Sequence, residues 1–402
     1  MPSPFAVRSF RFQWPADLLT SWAFEMEALI LGWYVLSATG SVRQLATVAA
    51  LAWLGSLFSP FFGLAGDRIG HRAVLCITRS VYALLAAVMT GLTLTESLQP
   101  WHVFAIAAIA GLLRPSDMVM RSVLVGQTMR PEMLMGALGL SRTTSDTARV
   151  AGALAGAAGV ALIGMGAAYV IVTAMYVAAV MLTFGVAGRP ARAVPAHPLA
   201  DLKEGFRYAW HKPDLLATFA IAFLVNLLAY PFVLGLLPYV AKEVYAAGQT
   251  GLSYLAASFW VGALGGSLFV GAGRLPLGAA RTMLWSAGLW FAATLLFGLT
   301  AKLPLGMALL FIAGLTQSFC LTPLAAIMLR TSDESMRGRV MGVRMLAIWG
   351  LPLGLVAAGP LIESIGYTAT AVIYNGLGVI ATIATGWYWR HALWHRSAAA
   401  NA

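Results

Sequence analysis

Residues 63–72 read Gly63-Leu-Ala-Gly-Asp-Arg-Ile-Gly-His-Arg72 and join two long apolar runs. Within this stretch, a pattern G-x3-D-[RK]-x-G-x-[RK] is filled by Gly63, Asp67, Arg68, Gly70 and Arg72. The two glycines let the chain reverse tightly, and the arginines hold such a turn on the cytoplasmic face of a membrane. Asp67 can meet a helix N-terminus or a partner arginine, so we predict that it acts as a latch. The alternative is a solvated basic turn with no special role.

The composition of the chain excludes a soluble globular protein. Of the 402 residues, 60% are hydrophobic and only 10% are charged, and the mean hydropathy is +0.80. Such a chain has too few charged side chains to cover a surface exposed to water. Its apolar runs are about 20 residues long, which is enough to cross about 30 Å of hydrocarbon. We predict an all-α membrane protein with twelve transmembrane helices.

The uneven distribution of basic residues predicts the orientation of the chain. The net charge is +11, and most of the 26 basic residues, Arg79 among them, fall in or beside alternate turns. Arg43, Lys242 and Lys302 fall in the opposite set of turns. Basic turns stay in the cytoplasm, so we predict a multi-pass protein with both termini cytoplasmic. The positive charge is then a partner for anionic lipid headgroups, and we expect no nucleic-acid binding.

The second half of the sequence repeats the first. Residues 271–281 follow the Gly63 stretch by 208 positions and have lost the aspartate, while Gly366 follows Gly166 by 200 positions. We therefore predict two pseudo-symmetric halves of six helices each, residues 1–188 and residues 214–402. Repeats of this kind place a binding site at the interface of the halves, with access alternating between the two sides of the membrane.

Residues 189–213 are predicted to be a cytoplasmic linker between these halves. Four apolar residues recur there at helical intervals, namely Leu199, Leu202, Phe206 and Ala209. Charged residues occupy other positions around the helix. This pattern predicts an amphipathic helix that lies on the inner leaflet of the membrane.

Charged residues within the predicted spans are concentrated in the first half. An ionised side chain at the centre of a membrane helix costs about 3 kcal/mol on insertion scales, so we expect these residues to be paired, functional or both. They are Glu25 and Glu27 in the first span, Arg114, Asp117 and Arg121 in the fourth, and Arg142, Asp146 and Arg149 in the fifth.

The charged trios of spans four and five mirror each other about the turn that separates them. Antiparallel helices would bring the two trios to matching depths, where neighbouring charges can pair. The predicted pairs are Asp117 with Arg142 or Arg149, and Asp146 with Arg114 or Arg121. Glu25 and Glu27 balance the remaining positive charge, which predicts one electroneutral cluster facing a cavity.

We interpret this cluster as a proton relay that can also anchor the substrate. A buried glutamate keeps its proton in apolar surroundings and releases it near an arginine, so a moving helix can load and unload it. The strongest candidates are Glu25, Glu27, Arg114, Asp117, Asp146 and Arg149. Glu25 shares a helical stripe with Asp17 and Ser21, and Glu27 points about 200° away from it. Only one glutamate should face the cavity, and the sequence does not select between them. The alternative is an ion-pair network that locks spans four and five together.

Uncharged polar and aromatic residues are the candidates in the second half. We predict that Asn226, Tyr230, Tyr254 and Gln317 line the cavity there. An aromatic, sparsely polar half-site suits a lipophilic substrate with a few hydrogen-bonding groups. The alternative is that most of the aromatic residues face lipid or the packed core.

Small residues in the fifth span form a further signal. Gly152 and Gly156 stand four positions apart in Ala151-Gly-Ala-Leu-Ala-Gly156. This spacing predicts that a neighbouring helix approaches closely at both glycines.

The chain resembles the major facilitator superfamily of transporters, in which the Gly63–Arg72 pattern is the loop between the second and third helices. Within it, the sequence is similar to the drug, macrolide and siderophore exporters of the transmembrane secretion effector branch. The stretches that carry this similarity are Leu31-Gly-Trp-Tyr-Val-Leu36, Thr39-Gly-Ser41, Asp67-Arg68, Asp201-Leu-Lys-Glu-Gly-Phe-Arg207 and Arg337-Gly-Arg-Val-Met-Gly342. The resemblance implies that Asp67 helps to close a cytoplasmic gate against the eleventh helix.

The resemblance further implies a proton-coupled exporter of a hydrophobic or amphiphilic compound in the inner membrane of a bacterium. We expect a monomer that is not an enzyme and that uses the proton gradient, with no cofactor and no metal. No ATP-binding loop or catalytic arrangement is evident in the sequence. Two alternatives remain open: a lipid or lysolipid flippase of the same fold, and a membrane sensor that transports nothing.

Overall fold

The structure, a computed structural model, describes residues 4–58, 62, 65–66, 68–129, 131–188, 198–271, 278–333 and 336–393. Within these ranges the regular structure is helical, and no β-strand occurs. The first six helices are α1 (Arg8–Thr39), α2 (Val42–Leu51), α3 (His71–Leu94), α4 (Pro100–Thr128), α5 (Pro131–Phe184) and α6 (Pro198–Trp210). The others are α7 (Pro213–Leu234), α8 (Gly248–Gly271), α9 (Ala279–Leu299), α10 (Leu303–Thr331), α11 (Arg337–Ala347), α12 (Gly350–Ile365) and α13 (Tyr367–Tyr388).

The described residues contain nine helical segments that are long and apolar enough to cross a membrane. Helix α1 is not among them. It is 32 residues long but carries three acidic residues. The predicted second span lies partly outside the described residues. The predicted fold class, an all-α membrane protein, is therefore confirmed, and the count of twelve helices stays a prediction.

The chain divides into two compact units. The N-terminal unit comprises residues 1–40 and 51–196, and the C-terminal unit comprises residues 41–50 and 197–402. Most of α2 therefore groups with the C-terminal unit, where Arg43 lies 3.8 Å from the carboxylate of Glu363 at the end of α12. The units differ from the predicted halves at residues 41–50.

Glycines with positive φ repeat along the chain and agree with an internal repeat. Gly164 interrupts α5 with φ 80° and ψ 164°, and Gly366 separates α12 from α13 with φ 86° and ψ 163°. Gly40 and Gly248, 208 positions apart, have φ 66° and 62°. Glycine adopts this left-handed region without the strain that a Cβ would cause. The conformational equivalent of Gly366 is thus Gly164, two residues before the predicted Gly166.

In the N-terminal unit, α1 packs closely along α5 at the two predicted glycines. A Cβ added at Gly152 would lie 2.6 Å from the Cβ of Glu25, and one at Gly156 would lie 3.0 Å from the Cα of Met26. Both distances are shorter than normal contacts, so the absence of a side chain is what permits this packing. The prediction for Gly152 and Gly156 is confirmed.

In the C-terminal unit, α7 contains a π-helical turn at Val225–Ala229 that packs against α12. A Cβ at Gly354 would lie only 2.0 Å from the carbonyl oxygen of Leu227. The predicted linker helix is α6, and it packs against α11. Its predicted apolar stripe is divided, because Ala209 is buried and Phe206 is exposed.

We expect Gly152→Val to destabilise the protein by about 1–3 kcal/mol, because overpacking at a close helix contact forces side chains and backbone apart. The matched control is Gly159→Val on the same helix, where an added Cβ meets nothing within 4 Å. Thermal unfolding of the purified protein in detergent measures both variants. Equal shifts in the two variants would contradict the close contact at Gly152.

Candidate functional site

Four helices of the N-terminal unit, α1, α3, α4 and α5, line a cavity of about 270 Å3. Its charged lining residues are Asp17, Glu25, Arg114, Asp117, Arg121 and Arg149. Hydroxyl groups come from Ser21, Ser122, Ser141, Thr144 and Ser145, among others. Phe24 and Tyr82 add aromatic surface. The cavity can therefore offer both charges and hydrogen bonds to a bound molecule.

Arg79 on α3 is the centre of a buried network beside this cavity. Its guanidinium is completely inaccessible to solvent. It donates from Nε to Oδ1 of Asp117 at 3.1 Å, from Nη1 to Oγ1 of Thr183 at 2.7 Å, and from Nη2 to Oδ1 of Asp17. These three partners lie on α4, α5 and α1. One side chain thus ties four helices together.

Sequence reasoning missed Arg79, because it was grouped with the basic residues of the turns. The structure instead places it in the third turn of α3. Its position within an apolar run was the signal that could have identified it. An arginine at that depth requires acidic partners.

Asp117 is shared between two arginines. Besides Arg79, it accepts hydrogen bonds from Arg121, which lies one turn further along α4, at 3.0 Å from Nε and also from Nη2. Arg121 also donates to Oγ of Ser21 on α1 at 2.9 Å. The predicted pairing of Asp117 with Arg149 is therefore wrong. The side chain of Arg142, the other predicted partner, lies outside the described residues.

Glu25 faces the cavity and meets Arg149 across the contact between α1 and α5. Its Oε1 lies 3.7 Å from Nε of Arg149. Arg149 also donates to Oδ1 of Asp146, three residues earlier on its own helix, at 3.4 Å. Glu25, Asp146 and Arg149 are thus brought together, with Asp146 buried and the other two side chains partly exposed.

Arg114 lies between two aromatic rings. The Cζ of its guanidinium is 3.7 Å from the ring centroid of Phe24 and 4.1 Å from that of Trp53. A guanidinium over an aromatic face is attracted by the electrons of the ring. Among the described side chains Arg114 forms no ion pair, so its predicted pairing with Asp146 is wrong.

Glu27 points away from the cavity into an aromatic pocket. Its Oε2 accepts a hydrogen bond from the hydroxyl of Tyr176 at 3.1 Å. The ring of Tyr176 lies 5.6 Å from that of Tyr82, and Tyr169, seven residues before Tyr176, is also fully buried. Of the two glutamates, Glu25 lines the cavity of the N-terminal unit and Glu27 does not.

Part of the Gly63–Arg72 loop lies outside the described residues, including Gly63 and Asp67. Gly70 has φ 93° and forms the N-cap of α3, which confirms its predicted role in the turn. Arg72 donates from Nη2 to the carbonyl oxygen of Phe184, at the end of α5, at 2.7 Å, while Arg68 is exposed.

The candidates of the C-terminal unit do not all come together. Gln317 donates from Nε2 to the hydroxyl of Tyr230 at 2.9 Å, and the ring of Tyr230 packs edge-on against Trp290, 4.8 Å between centroids. Asn226 lies on the π-helical turn and donates to the carbonyl oxygen of Ala222 at 2.8 Å. Tyr254 is 47% exposed on α8. Within the described part of the chain, no three His, Cys, Asp or Glu side chains are grouped as metal ligands.

We expect Arg79→Met to destabilise the protein by about 3–5 kcal/mol, because it leaves a buried carboxylate without its cation. Asp117 keeps Arg121, whereas Asp17 loses its arginine, so the added change Asp17→Asn should recover part of the loss. Thermal unfolding in detergent measures both effects, and Arg68→Met removes an exposed arginine as the control. An unfolding temperature of Arg79→Met equal to that of the wild type would contradict the network.

Comparison with known proteins agrees with this architecture. The family model described as Major Facilitator Superfamily matches residues 14–277. The multidrug efflux pump Tap of Mycolicibacterium fortuitum is 31% identical in an alignment of 377 residues that covers 87% of this chain and 89% of that protein. The multidrug efflux pump Tap of Mycobacterium tuberculosis is 28% identical over 363 residues, covering 84% of this chain and 83% of that protein.

Solved structures show the same fold at low identity. The nucleoside transporter NupG superposes with a TM-score of 0.74 at 13% identity, covering 94% of this chain and 98% of that chain. The transporter PepTSo of the POT family superposes with a TM-score of 0.75 at 12% identity, covering 96% of this chain and 99% of that chain. Together with the family match over most of its length, these similarities show that the chain belongs to the major facilitator superfamily and is a multi-pass membrane transporter, not an enzyme.

Proposed function

We propose that the protein exports a hydrophobic or amphiphilic small molecule in exchange for protons, by alternating access. Its similarity to two proteins named as multidrug efflux pumps supports export. The proton gradient supplies the energy, and no cofactor takes part. The observation that carries the proposal is the different placement of two neighbouring carboxyl groups on α1: Glu25 lies in the charged cavity, and Glu27 lies in an aromatic pocket.

Glu27 has the surroundings expected of a proton carrier. Its side chain is buried and accepts a hydrogen bond from Tyr176, and within the described residues it forms no ion pair. A carboxyl group in apolar surroundings holds a proton, and it releases that proton when an arginine comes near. Arg114 and Arg149 lie on the helices next to α1. A shift of α1 during transport would change which of these surroundings Glu27 meets.

Glu25 has the surroundings expected of a substrate contact. It is partly exposed to the cavity, and its distance of 3.7 Å from Arg149 leaves room for another hydrogen-bond donor. The neighbouring hydroxyl groups and the ring of Phe24 provide polar and apolar contacts on one wall. This combination suits a compound with a ring or chain and a few hydrogen-bonding or basic groups. Arg114, held by its two rings, is available to an acidic or carbonyl group of the same compound.

The remaining predicted residues have supporting roles in the proposal. The loop residues Gly63, Asp67, Arg68, Gly70 and Arg72 form the cytoplasmic gate, in a protein of the inner membrane with both termini in the cytoplasm. The turn at Gly70 and the bond from Arg72 to Phe184 hold one end of this loop, which supports that assignment. Tyr230 and Gln317, which are hydrogen-bonded, are the proposed substrate contacts of the C-terminal unit.

The test is uptake of a fluorescent lipophilic cation, driven by a pH gradient, into inside-out vesicles. We expect Glu27→Gln to reduce gradient-driven uptake at least about tenfold while exchange of labelled for unlabelled compound without a gradient continues. Exchange continues because it needs the binding site and the moving helices but no net proton transfer. We expect Glu25→Gln to raise the half-saturating concentration about tenfold, which corresponds to about 1.4 kcal/mol of lost binding.

Glu96→Gln is the matched control, since Glu96 is an exposed carboxylate of the same unit. It should transport as the wild type does. Gradient-driven uptake that survives in Glu27→Gln would contradict the assignment of the proton carrier. Net uptake by the wild type that is equally fast before and after the pH gradient is dissipated would contradict antiport and favour facilitated diffusion or lipid flipping.

A further inference from the structure

The linker helix α6 has one face that the C-terminal unit covers. A Cβ added at Gly205 would lie 2.8 Å from the carbonyl oxygen of Arg339 in α11, so the two backbones are in direct contact there. Ala209, one turn later, is buried as well. This face of α6 is therefore fully used by packing within the protein.

Polar contacts fix the rotation of α6 about its own axis. Glu204 accepts from Nη1 of Arg339 at 3.2 Å, and the hydroxyl of Tyr208 donates to Oδ2 of Asp333 at 2.9 Å. Lys212, just after the helix, donates to the carbonyl oxygen of Thr331 at 3.0 Å. These contacts hold α6 in one orientation, so the opposite face cannot turn inward.

The opposite face combines two aromatic rings with two cations. Lys203, Phe206, Arg207 and Trp210 are spaced by three and four residues and all are exposed, Phe206 by 51% and Trp210 by 60%. The ring centroids of Phe206 and Trp210 are 5.7 Å apart. Among the described side chains, no carboxylate forms an ion pair with Lys203 or Arg207.

The position of this face along the chain places it at a membrane boundary. Trp210 ends α6, and the membrane-spanning helix α7 begins at Pro213. Tryptophan and phenylalanine on an amphipathic helix insert at the level of the lipid headgroups, and neighbouring lysine and arginine attract anionic lipids. Two cations without carboxylate partners fit a negatively charged headgroup and not a zwitterionic one.

We propose that Lys203, Phe206, Arg207 and Trp210 form a binding surface for anionic phospholipid. The rings enter the interface between the headgroups and the acyl chains, and the two cations hold the phosphate groups. The opposite face of α6 contacts Arg339 at the start of α11. Lipid bound to this surface therefore stabilises the start of α11 through α6. Lipid composition then affects the protein through the linker, whichever compound it transports.

The test uses the full-length protein in nanodiscs that contain brominated lipid, which quenches tryptophan fluorescence on contact. The chain has 13 tryptophans, so the Trp210 signal is the difference between wild type and Trp210→Phe. We expect brominated phosphatidylglycerol to quench Trp210 at least about twofold more than brominated phosphatidylcholine at the same mole fraction. In Lys203→Gln/Arg207→Gln, we expect the two lipids to quench equally.

The matched control is Arg281→Gln/Arg390→Gln, which removes two exposed basic residues elsewhere in the same unit. It should keep the preference for phosphatidylglycerol. Equal quenching by both lipids in the wild type would overturn the proposal of anion selectivity. Absence of quenching by either lipid would overturn the placement at the membrane and leave a soluble partner as the occupant of this face. Loss of the preference in the control variant would show a general charge effect and would also overturn the proposal.

Discussion

The N-terminal unit depends on one buried cation. A guanidinium has five N–H donors in a fixed plane, so Arg79 can meet two carboxylates and a hydroxyl at once. Its partners Asp17, Asp117 and Thr183 lie on three other helices, which makes their relative positions interdependent. In a membrane interior the same arginine would be costly without these partners. The charge network is thus part of the structural frame of the helices that line the cavity.

This frame gives the two glutamates of α1 different surroundings. Asp17, Ser21 and Glu25 follow one another at intervals of one turn, and all three line the cavity. Asp17 is tied to Arg79, and Ser21 accepts from Arg121, so this stripe of α1 faces α3 and α4. Glu27 is two residues further on and therefore faces the tyrosines instead. Glu27, the proposed proton carrier, is thus kept apart from Glu25, which meets Arg149 in the cavity.

The sequence predicted the fold and the residues of the charged site better than the ion pairs that these residues form. Long apolar runs and the loop at Gly70 identify the helices and one of their turns, and the positions of Gly152 and Gly156 identify a close contact. Pairing was predicted wrongly because spacing along a helix allows several partners. Spacing alone does not show that Asp117 pairs with Arg121 on the same helix, α4. Sorting the basic residues by topology places Arg79 at a turn. The sequence does show the stripe of Asp17, Ser21 and Glu25 on α1, and Asp17 is a partner of Arg79.

We propose that Glu27 carries the transported proton while Glu25 contacts the substrate. The most direct measurement is the release of protons when a transported compound is added to the purified protein in weakly buffered detergent solution, followed with a pH indicator. We expect proton release by the wild type and by Glu25→Gln at saturating compound, and none by Glu27→Gln. Release that is unchanged in Glu27→Gln and absent in Glu25→Gln, with binding of the compound intact in both, would contradict this assignment.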